Sequence, residues 1–355
     1  GEEVVVTDTL DNMGNLSWRE VFTDPQLQTL IEKGLQNNTD LQSAQWRVKE
    51  AEATLLSAKL AYLPSFALSP QGTVSSFDKS KATQTYTLPV IASWEIDIFG
   101  QIRNAKRQAK ALLEQSRDYK QAVRTQLIAG IANTYYTLLM LDAQFEISVR
   151  TQHSWKETVD ATRALMEAGM ANEAAVSQME ATYYTICTSV LDLKEQINQV
   201  ENSLSLLLAE TPHTIERADT WNFPYGMQER FSVGIPVQML SNRPDVRSAE
   251  RSLEAAFYVT NQARSAFYPS IVLSGMIVNP GKFIATAIGS LTQPLFNRGT
   301  NIARLKIAKA QQEEAKLGFQ QTLLNAGSEV NEALVKYQTA KEKAAYYDKQ
   351  IMSLN

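Results

Sequence analysis

The sequence repeats one plan twice, and this repeat limits the possible folds more than any other feature. Ten of the thirty residues from position 40 to position 69 recur at an offset of 205, without a gap. Alanine is common in helices, so the most informative matches are those of other residues. These are Asp40 with Asp245, Pro64 with Pro269, Ser65 with Ser270, Leu68 with Leu273 and Ser69 with Ser274. The chain is therefore expected to fold as two related halves.

The first copy begins with helix signals. Asp24 followed by Pro25 is typical of a helix start, with the aspartate as the cap and the proline in the first turn. The segment Thr39-x-x-Gln42 resembles a capping box, which predicts a second helix that runs to about Tyr62.

A period of two then replaces the helical period in both copies. Apolar and polar residues alternate over about 66–76 and 85–97 in copy one, and over about 271–278 and 283–295 in copy two. Each copy is thus expected to contribute two half-buried strands. Because 271–278 has only 8 residues, fewer than the ~9 to 11 of a strand that crosses a bilayer, either the second hairpin is unusually short or residues are missing near Gly275-Met276.

Long helices follow the strands. After Gly100 a helical pattern without proline continues to about Met166, which predicts a rod of roughly 100 Å. After Gly169 an antiparallel helix capped by Asn172 returns, so 101–209 is predicted to be a helical hairpin.

The predicted organisation has three parts. Residues 1–210 form the first repeat, the Pro- and Gly-containing segment 211–240 is a linker, and 241–355 form the second repeat. The second repeat has a helix, two strands and one long helix, so its return helix is expected to lie outside this chain.

Composition excludes several classes of protein. A formal net charge of -4 argues against a nucleic-acid partner. With Cys187 as the single cysteine, no intrachain disulfide can form, and His153 and His213 are too few for structural zinc. Neither histidine lies in a catalytic motif, and Cys187 beside Ile186 fits a buried or half-buried helix position. We therefore expect no enzyme, no cofactor and no metal site.

The termini and hydropathy leave two possibilities open. No stretch approaches the 18 or so apolar residues of a membrane-spanning helix. The start Gly1-Glu2-Glu3 has no signal-peptide features, so the chain fits either a cytoplasmic protein or a mature one.

The order and spacing of several motifs resemble the TolC-like outer-membrane efflux proteins over nearly the whole chain. These motifs are Asp24-Pro25, Leu63-Pro64-Ser65, Trp94-Glu95-Ile96-Asp97-Ile98-Phe99-Gly100-Gln101-Ile102-Arg103, Asn242-Arg243-Pro244-Asp245-Val246, Tyr268-Pro269-Ser270 and Pro294-Leu295-Phe296. Many members of this family are lipoproteins with an acylated first cysteine, whereas this chain begins with Gly1.

The resemblance implies a mainly α-helical homotrimer with a small β part. Each subunit would add four strands to a shared 12-stranded barrel in outer-membrane lipid, and the helices would form a long periplasmic tunnel. A periplasmic adaptor and an inner-membrane pump would complete a tripartite efflux system of a Gram-negative cell, in which this protein is a passive duct for drugs or other small molecules.

Physical reasoning supports part of this picture. Four strands cannot close a membrane barrel, and open sheet edges are not tolerated in lipid, so subunits would have to pool their strands. The alternative is a soluble coiled-coil structural or scaffold protein, in which the alternating segments would form a small capping sheet.

Two groups of residues are predicted functional sites. The turn between the long helices is expected to be either a plain loop or the periplasmic tip that contacts the adaptor, with Leu165, Met166, Gly169, Met170 and Ala171. The junction of barrel and tunnel is predicted at Trp94, Glu95, Asp97, Phe99, Gly100, Phe296 and Gly299. There, Glu95 and Asp97 fit solvated carboxylates at a lumen entrance better than an acid-base pair, and Trp94, Tyr86 and Phe77 could equally form an interfacial girdle or pack internally.

Overall fold

The computed structural model describes residues 17–75, 81, 83–219, 242–279, 284–292 and 298–354, and most of the predicted linker 211–240 lies outside them. Seven helices and five strands follow one another in these residues. In chain order they are α1 Trp18–Val21, α2 Pro25–Asn37, α3 Thr39–Leu60, β1 Ser65–Leu68, β2 Gln71–Ser75, β3 Thr83–Ile96, α4 Gln101–Glu167, α5 Glu173–Leu207, α6 Pro244–Ser265, β4 Ser270–Asn279, β5 Ile284–Thr292 and α7 Thr300–Leu354.

The chain divides into two compact units that do not follow the two repeats. The first unit lies within Gly1–Ser43 and Gln121–Gly234, and the second within Ala44–Lys120 and Ile235–Asn355. Both α3 and α4 continue from one unit into the other. The two compact units therefore differ from the predicted parts 1–210, 211–240 and 241–355, which are based on the sequence repeat.

The first unit has an apolar core built by α2, α4, α5 and the segment after α5. Its fully buried side chains include Leu27, Ile31, Ile131, Leu138, Leu204 and Leu208. The cap predicted for α2 is confirmed, because Asp24 Oδ1 accepts the Gln26 N–H at 2.9 Å. The capping box predicted at Thr39 is wrong by one residue, since Asn38 Oδ1 accepts the Leu41 N–H at 3.0 Å.

In the second unit, helices α3, α4, α6 and α7 contact one another in that order. Apolar residues Val48 and Leu55 of α3 pack against Ala109 and Leu113 of α4. Polar contacts join the remaining neighbours. Gln262 of α6 donates to Gln108 of α4 at 2.6 Å, and Thr260 of α6 donates to the Ala308 carbonyl of α7 at 3.3 Å.

All five strands form one antiparallel sheet in the second unit. The order is β1, β3, β4, β5, and β2 also pairs with β3. The single strand predicted at 66–76 is in fact two, because Pro70 lacks the N–H that a continuous ladder requires. The strand predicted at 271–278 is longer than expected: β4 has ten residues, since Ser270 and Asn279 extend it by backbone pairing.

The other predicted strands differ by a few residues at their ends. Strand β3 runs from Thr83 to Ile96 rather than over 85–97, and β5 from Ile284 to Thr292 rather than over 283–295. With ten and nine residues, β4 and β5 both reach the ~9 to 11 residues that cross a bilayer. The prediction of a short second hairpin is therefore wrong.

Candidate functional site

The register of the sheet places apolar side chains on one face, which we call the apolar face. Val90 of β3 pairs with Leu68 of β1 and with Ile277 of β4, so all three point to the same side. The remaining side chains of this face follow from the same pairing. Among the residues whose side chains are described, they include Phe66, Val74, Tyr86, Leu88, Ala92, Trp94, Ile96, Ile271, Leu273 and Leu291, with Gln84 as a polar exception at a strand end.

The opposite face, called the polar face, carries mainly hydroxyl and amide groups. Ser65 pairs with Ser93, and Ser93 pairs in turn with Ser274. Further members are Gln71, Thr73, Ser75, Thr83, Thr85, Thr87, Glu95, Ser290 and Thr292. Apolar side chains also lie on this face, among them Ala67, Pro89, Ile91, Val272, Met276 and Ile288. The predicted alternation of apolar and polar residues therefore places most of the apolar side chains on one face of the sheet and most of the polar side chains on the other.

The apolar face is exposed within the described chain. Phe66 is 71% exposed and Leu291 is 68% exposed, and Leu68, Tyr86, Val90 and Trp94 are exposed as well. Large contiguous apolar patches are rare on proteins surrounded by water and indicate contact with lipid or another protein. This face is thus built for an apolar surrounding.

A tight strand-to-helix turn joins β3 to α4. Gly100 has a φ of 81°, a left-handed conformation that favours glycine. Asp97 is not simply solvated as predicted, because its two carboxylate oxygens accept the N–H groups of Ile102 and Arg103 at 3.1 and 2.8 Å. Asp97 therefore caps α4, in the place where an anion stabilises a helix.

Other residues predicted at this junction have specific contacts or backbone conformations. Trp94 lies on the apolar face and donates its ring N–H to the Tyr62 carbonyl at 2.9 Å. Phe99 stacks on Tyr268 with ring centroids 4.9 Å apart, a contact that sequence reasoning missed. Gly299 has a φ of 75° directly before α7. Phe296 and Phe77 lie outside the described residues.

The turn between α4 and α5 has the hydrogen bonds of a Schellman motif. The Met170 N–H donates to the Leu165 carbonyl at 2.8 Å, and the Gly169 N–H donates to the Met166 carbonyl at 2.9 Å. Gly169 has a φ of 75°, as the motif requires. Met170 is 73% exposed and Leu165 is exposed too, and Ala171 precedes the Asn172 cap of α5. This turn thus presents apolar side chains on an ordered backbone.

Sequence reasoning missed a buried polar network in the first unit. The Tyr135 hydroxyl donates to Asp24 and accepts the Ala218 N–H at 3.1 Å. Burial, followed by the hydrogen bond to Asp24, raises the pKa of the Tyr135 phenol above its ordinary value. Arg217 binds the carboxylates of Asp142 and Glu201, and these bonds raise the pKa of Arg217. The residues are far apart in sequence, so no local pattern indicated them.

The single cysteine and the two histidines have ordinary surroundings. Cys187 is half-buried, and its sulfur accepts a hydrogen bond from Gln152 at 3.1 Å. His153 lies 3.5 Å from Glu157, and His213 lies 3.4 Å from Glu210. Within the described residues, no group of three or more histidine, cysteine, aspartate or glutamate side chains could hold a metal ion. Among the helices of those same residues, none is long and apolar enough to span a membrane.

Comparison with known proteins identifies the class. The model of the outer membrane efflux protein family matches residues 30–210 and 235–355, which is most of the chain. The chain therefore belongs to the outer membrane efflux protein family. Its place is the outer membrane, and its function is that of an efflux channel of a tripartite pump.

Particular relatives agree with this family. The cation efflux system protein CusC of Escherichia coli K12 is 26% identical over 361 residues, which cover 98% of this chain and 79% of CusC. The toluene efflux pump outer membrane protein TtgC of Pseudomonas putida is 27% identical over 344 residues, which cover 92% of this chain and 71% of TtgC.

Solved structures agree on the fold. A crystal structure of CusC has a TM-score of 0.85 at 26% identity, and covers 96% of this chain and 82% of that one. The open state of the Neisseria gonorrhoeae channel MtrE has a TM-score of 0.87 at 24% identity, over 97% and 80% of the chains. The mainly helical architecture with a smaller sheet is thus the fold of these channels.

Proposed function

We propose that this protein is the passive outer-membrane duct of a tripartite efflux system, and that three copies form it. The observation that carries the proposal is the two-faced sheet. An apolar face suits lipid and a polar face suits a water-filled lumen, as in membrane barrels. No bond is broken during transport, and the energy comes from the inner-membrane pump.

The edges of the sheet support assembly from several copies. Strand β5 has an edge without a partner strand among the described residues, and β1 and β2 form the opposite edge. Unpaired backbone groups are very costly in lipid. Pairing of β5 in one copy with β1 and β2 in the next leaves no free edge when the ring closes. Strands β1 and β2 both pair with β3 and count as one interrupted barrel strand, so each copy supplies four strands and three copies give the 12-stranded barrel that the family resemblance implies.

The helices of the second unit support the same arrangement. Helices α3 and α7 are the outer members of the row α3, α4, α6, α7, and both expose apolar side chains. Trp46 and Leu56 are exposed on α3, and Ile307, Leu317 and Leu324 are exposed on α7. Packing of α7 against α3 of the next copy would cover both sets in one head-to-tail contact.

Extraction and size measurements test this assembly. The protein should require detergent to leave the membrane fraction and should then have the mass of a trimer, which persists on mild heating. A soluble coiled-coil scaffold, the alternative from sequence, would be extracted without detergent. A stable monomer of the complete protein in detergent would contradict the proposal.

We further propose that the tip at Leu165, Met166, Gly169, Met170 and Ala171 contacts the periplasmic adaptor. The exposure of Leu165 and Met170 on a fixed turn supports this role. The compounds exported are then chosen by the pump, because a wide aqueous lumen has little selectivity of its own.

Changes at the tip test this contact separately. Leu165→Asp with Met170→Asp should abolish export while membrane insertion and trimer formation remain, since the 67 residues of α4 separate the turn from β3 along the chain. The matched control is Tyr184→Asp, an exposed apolar position of α5 away from the turn. Normal export by the tip variant, or its failure to insert, would rule out the tip as the contact surface.

A further inference from the structure

A single arginine joins three segments of the first unit. Arg217 lies in the segment after α5, Asp142 lies on α4 and Glu201 lies on α5. The Arg217 Nε and Nη2 groups donate to the two oxygens of Asp142, the second at 2.8 Å. Its Nη1 group donates to Glu201 Oε1 at 2.6 Å. We call this group of three side chains the Arg217 clasp.

The guanidinium is held in place by its own backbone. The side chain of Ile215 is buried in the core, and its N–H donates to Glu201 Oε1 at 3.3 Å. On the other side, the Ala218 N–H donates to the buried Tyr135 hydroxyl. Arg217 Nη1 also donates to the Ile215 carbonyl at 2.9 Å. The backbone on both sides of Arg217 is therefore held in place, and the Ile215 carbonyl helps to orient the guanidinium.

The clasp is largely removed from water. The side chain of Arg217 is 15% exposed, that of Glu201 is 10% exposed and that of Asp142 is 28% exposed. A buried charge that loses its partner is strongly destabilising, whereas a complete buried pair adds little net stability. Such groups are best known for fixing which arrangement of helices forms. The clasp is thus suited to specify geometry.

The part of the hairpin beyond the clasp has little core of its own. Residues 143–200 are all described, and only Val159 and Val176 are buried among them. The compact core of α4 and α5 lies on the other side of the clasp, where Leu138, Leu139 and Leu204 are buried. The apolar positions of this arm are half-buried and recur every three or four residues. A slide of α4 along α5 by one helical turn would therefore bring a similar set of apolar side chains into contact. Packing in this arm therefore does not define the register strongly.

We propose that Arg217 is a positioning residue that fixes the register of α4 against α5, and with it the position of the tip at Gly169. A slide by one helical turn is about 5.4 Å, which takes Asp142 or Glu201 out of hydrogen-bond reach of the guanidinium. The slid arrangement would leave a buried carboxylate without its partner. The functional meaning of the tip position rests on the proposed adaptor contact, but the register itself does not.

A native pair of residues provides a reporter of the register. The side chain of Gln152 on α4 contacts the sulfur of Cys187 on α5 at 3.1 Å. Gln152→Cys would place a second thiol within reach of a short bifunctional thiol reagent. Ser148 and Lys156 lie one helical turn before and after Gln152 on α4, so Ser148→Cys and Lys156→Cys report the two slid registers. Cross-linking of each position to Cys187 in detergent-extracted protein reports the register without any export assay.

The decisive variant removes the clasp without leaving a buried charge. Arg217→Met with Asp142→Leu and Glu201→Leu should fold, since apolar replacement of a buried ion pair is well tolerated. In the wild-type background, cross-linking should be confined to position 152. The measured quantity is the cross-linking yield at position 152 divided by the higher of the yields at positions 148 and 156. In the triple variant this ratio should fall about tenfold, which corresponds to a loss of about 1.4 kcal/mol in the preference for the native register over a slid one.

Two further variants complete the test. Arg217→Lys keeps the charge but cannot bind both carboxylates with a planar fork, so the same ratio should fall by a smaller amount. Arg163→Met with Glu180→Leu removes an exposed ion pair between the same helices and should leave the ratio unchanged. If cross-linking stays confined to position 152 in both the triple variant and Arg217→Lys, Arg217 does not fix the register. An equal loss in the Arg163 control would also overturn the proposal.

Discussion

The hydroxyl of Tyr135, in the middle of α4, donates a hydrogen bond to Asp24, the residue that caps α2. Both side chains are buried, and the same hydroxyl accepts the Ala218 N–H. One phenol therefore links the start of α2, the long helix α4 and the segment after α5. Because burial and Asp24 raise its pKa, the phenol stays protonated and remains a donor.

Replacement of this phenol should be costly. Tyr135→Phe leaves the Ala218 N–H and one Asp24 oxygen without a partner in a buried place, which costs about 1–3 kcal/mol. The melting temperature of the detergent-solubilised protein should fall accordingly. Tyr184→Phe, at an exposed position, is the control and should change stability by less than about 0.5 kcal/mol. Equal melting temperatures of the two variants would contradict this role of Tyr135.

Gly34 allows α2 to approach α4 closely. A Cβ at this position would lie 2.4 Å from Ile131 Cδ1, and Ile131 is fully buried. Gly34→Ala should therefore destabilise the protein, by about 1–3 kcal/mol from overpacking. Gly318→Ala on α7 has no atom within 4 Å of the new Cβ and should gain up to about 1 kcal/mol of helix propensity. Unfolding of both variants in denaturant measures the contrast, and a stabilised Gly34→Ala would refute the close approach.

Helix α5 ends with a Schellman motif that has alanine where glycine is usual. The Glu210 N–H donates to the Ser205 carbonyl at 2.9 Å, and Ala209 has a φ of 55°. The left-handed region is unfavourable for alanine. Ala209→Gly should thus stabilise the protein by about 0.5–1 kcal/mol, whereas Gly169→Ala, at the same position of the tip motif, should destabilise it. Thermal unfolding measures both, and changes of the same sign would be inconsistent with these two conformations.

Two aspartates should respond to pH with opposite signs. Burial raises the pKa of Asp118, although Arg247 lies 3.2 Å away, whereas hydrogen bonds from Arg243 lower the pKa of Asp245. Because the pKa of Asp118 is raised in the folded state, its ionisation destabilises the folded state at pH values above that folded-state pKa. This penalty disappears below the pKa of the unfolded chain, which is about 4. A lowered pKa means that Asp245 contributes stability above about 4, which is lost as the pH falls through its folded pKa.

Substitution of each aspartate makes these signs measurable. Asp118→Asn should raise the melting temperature at pH 7, and the gain should shrink as the pH approaches 4. Asp245→Asn should lower it at pH 7, and the loss should shrink over the acidic range below about pH 4. Melting curves between pH 3 and pH 7 test both. A destabilised Asp118→Asn at pH 7 would show that its ion pair with Arg247 outweighs the burial.

The sheet was predictable because alternation along a strand depends on local sequence. The alternation over 66–76 and 85–97 predicts strands with one apolar face, and the register places the apolar residues Leu68 and Val90 opposite each other on that face. The length of β4 was not predictable in this way. Its end residues Ser270 and Asn279 are polar and belong to the strand only through pairing with neighbouring strands.

The internal polar contacts were beyond local patterns altogether. Arg217 is 75 residues from Asp142 and 16 from Glu201, so only the folded chain brings them together. Asp97 was recognised as a polar residue at the end of a strand, but its role as the α4 cap depends on the backbone turn at Gly100. The sequence therefore predicts the periodicity of the helices and strands and the two faces of the sheet. It does not predict which distant side chains pair with one another.

Cysteine accessibility across the sheet tests the central claim most directly. In a Cys187→Ser background, single cysteines are introduced at Leu68 and Val90 on the apolar face and at Ser65 and Ser93 on the polar face. An outer-membrane duct predicts that a lipid-soluble thiol reagent labels positions 68 and 90, and that a charged, water-soluble reagent labels positions 65 and 93. Equal labelling of all four positions by both reagents would contradict a barrel wall between lipid and water.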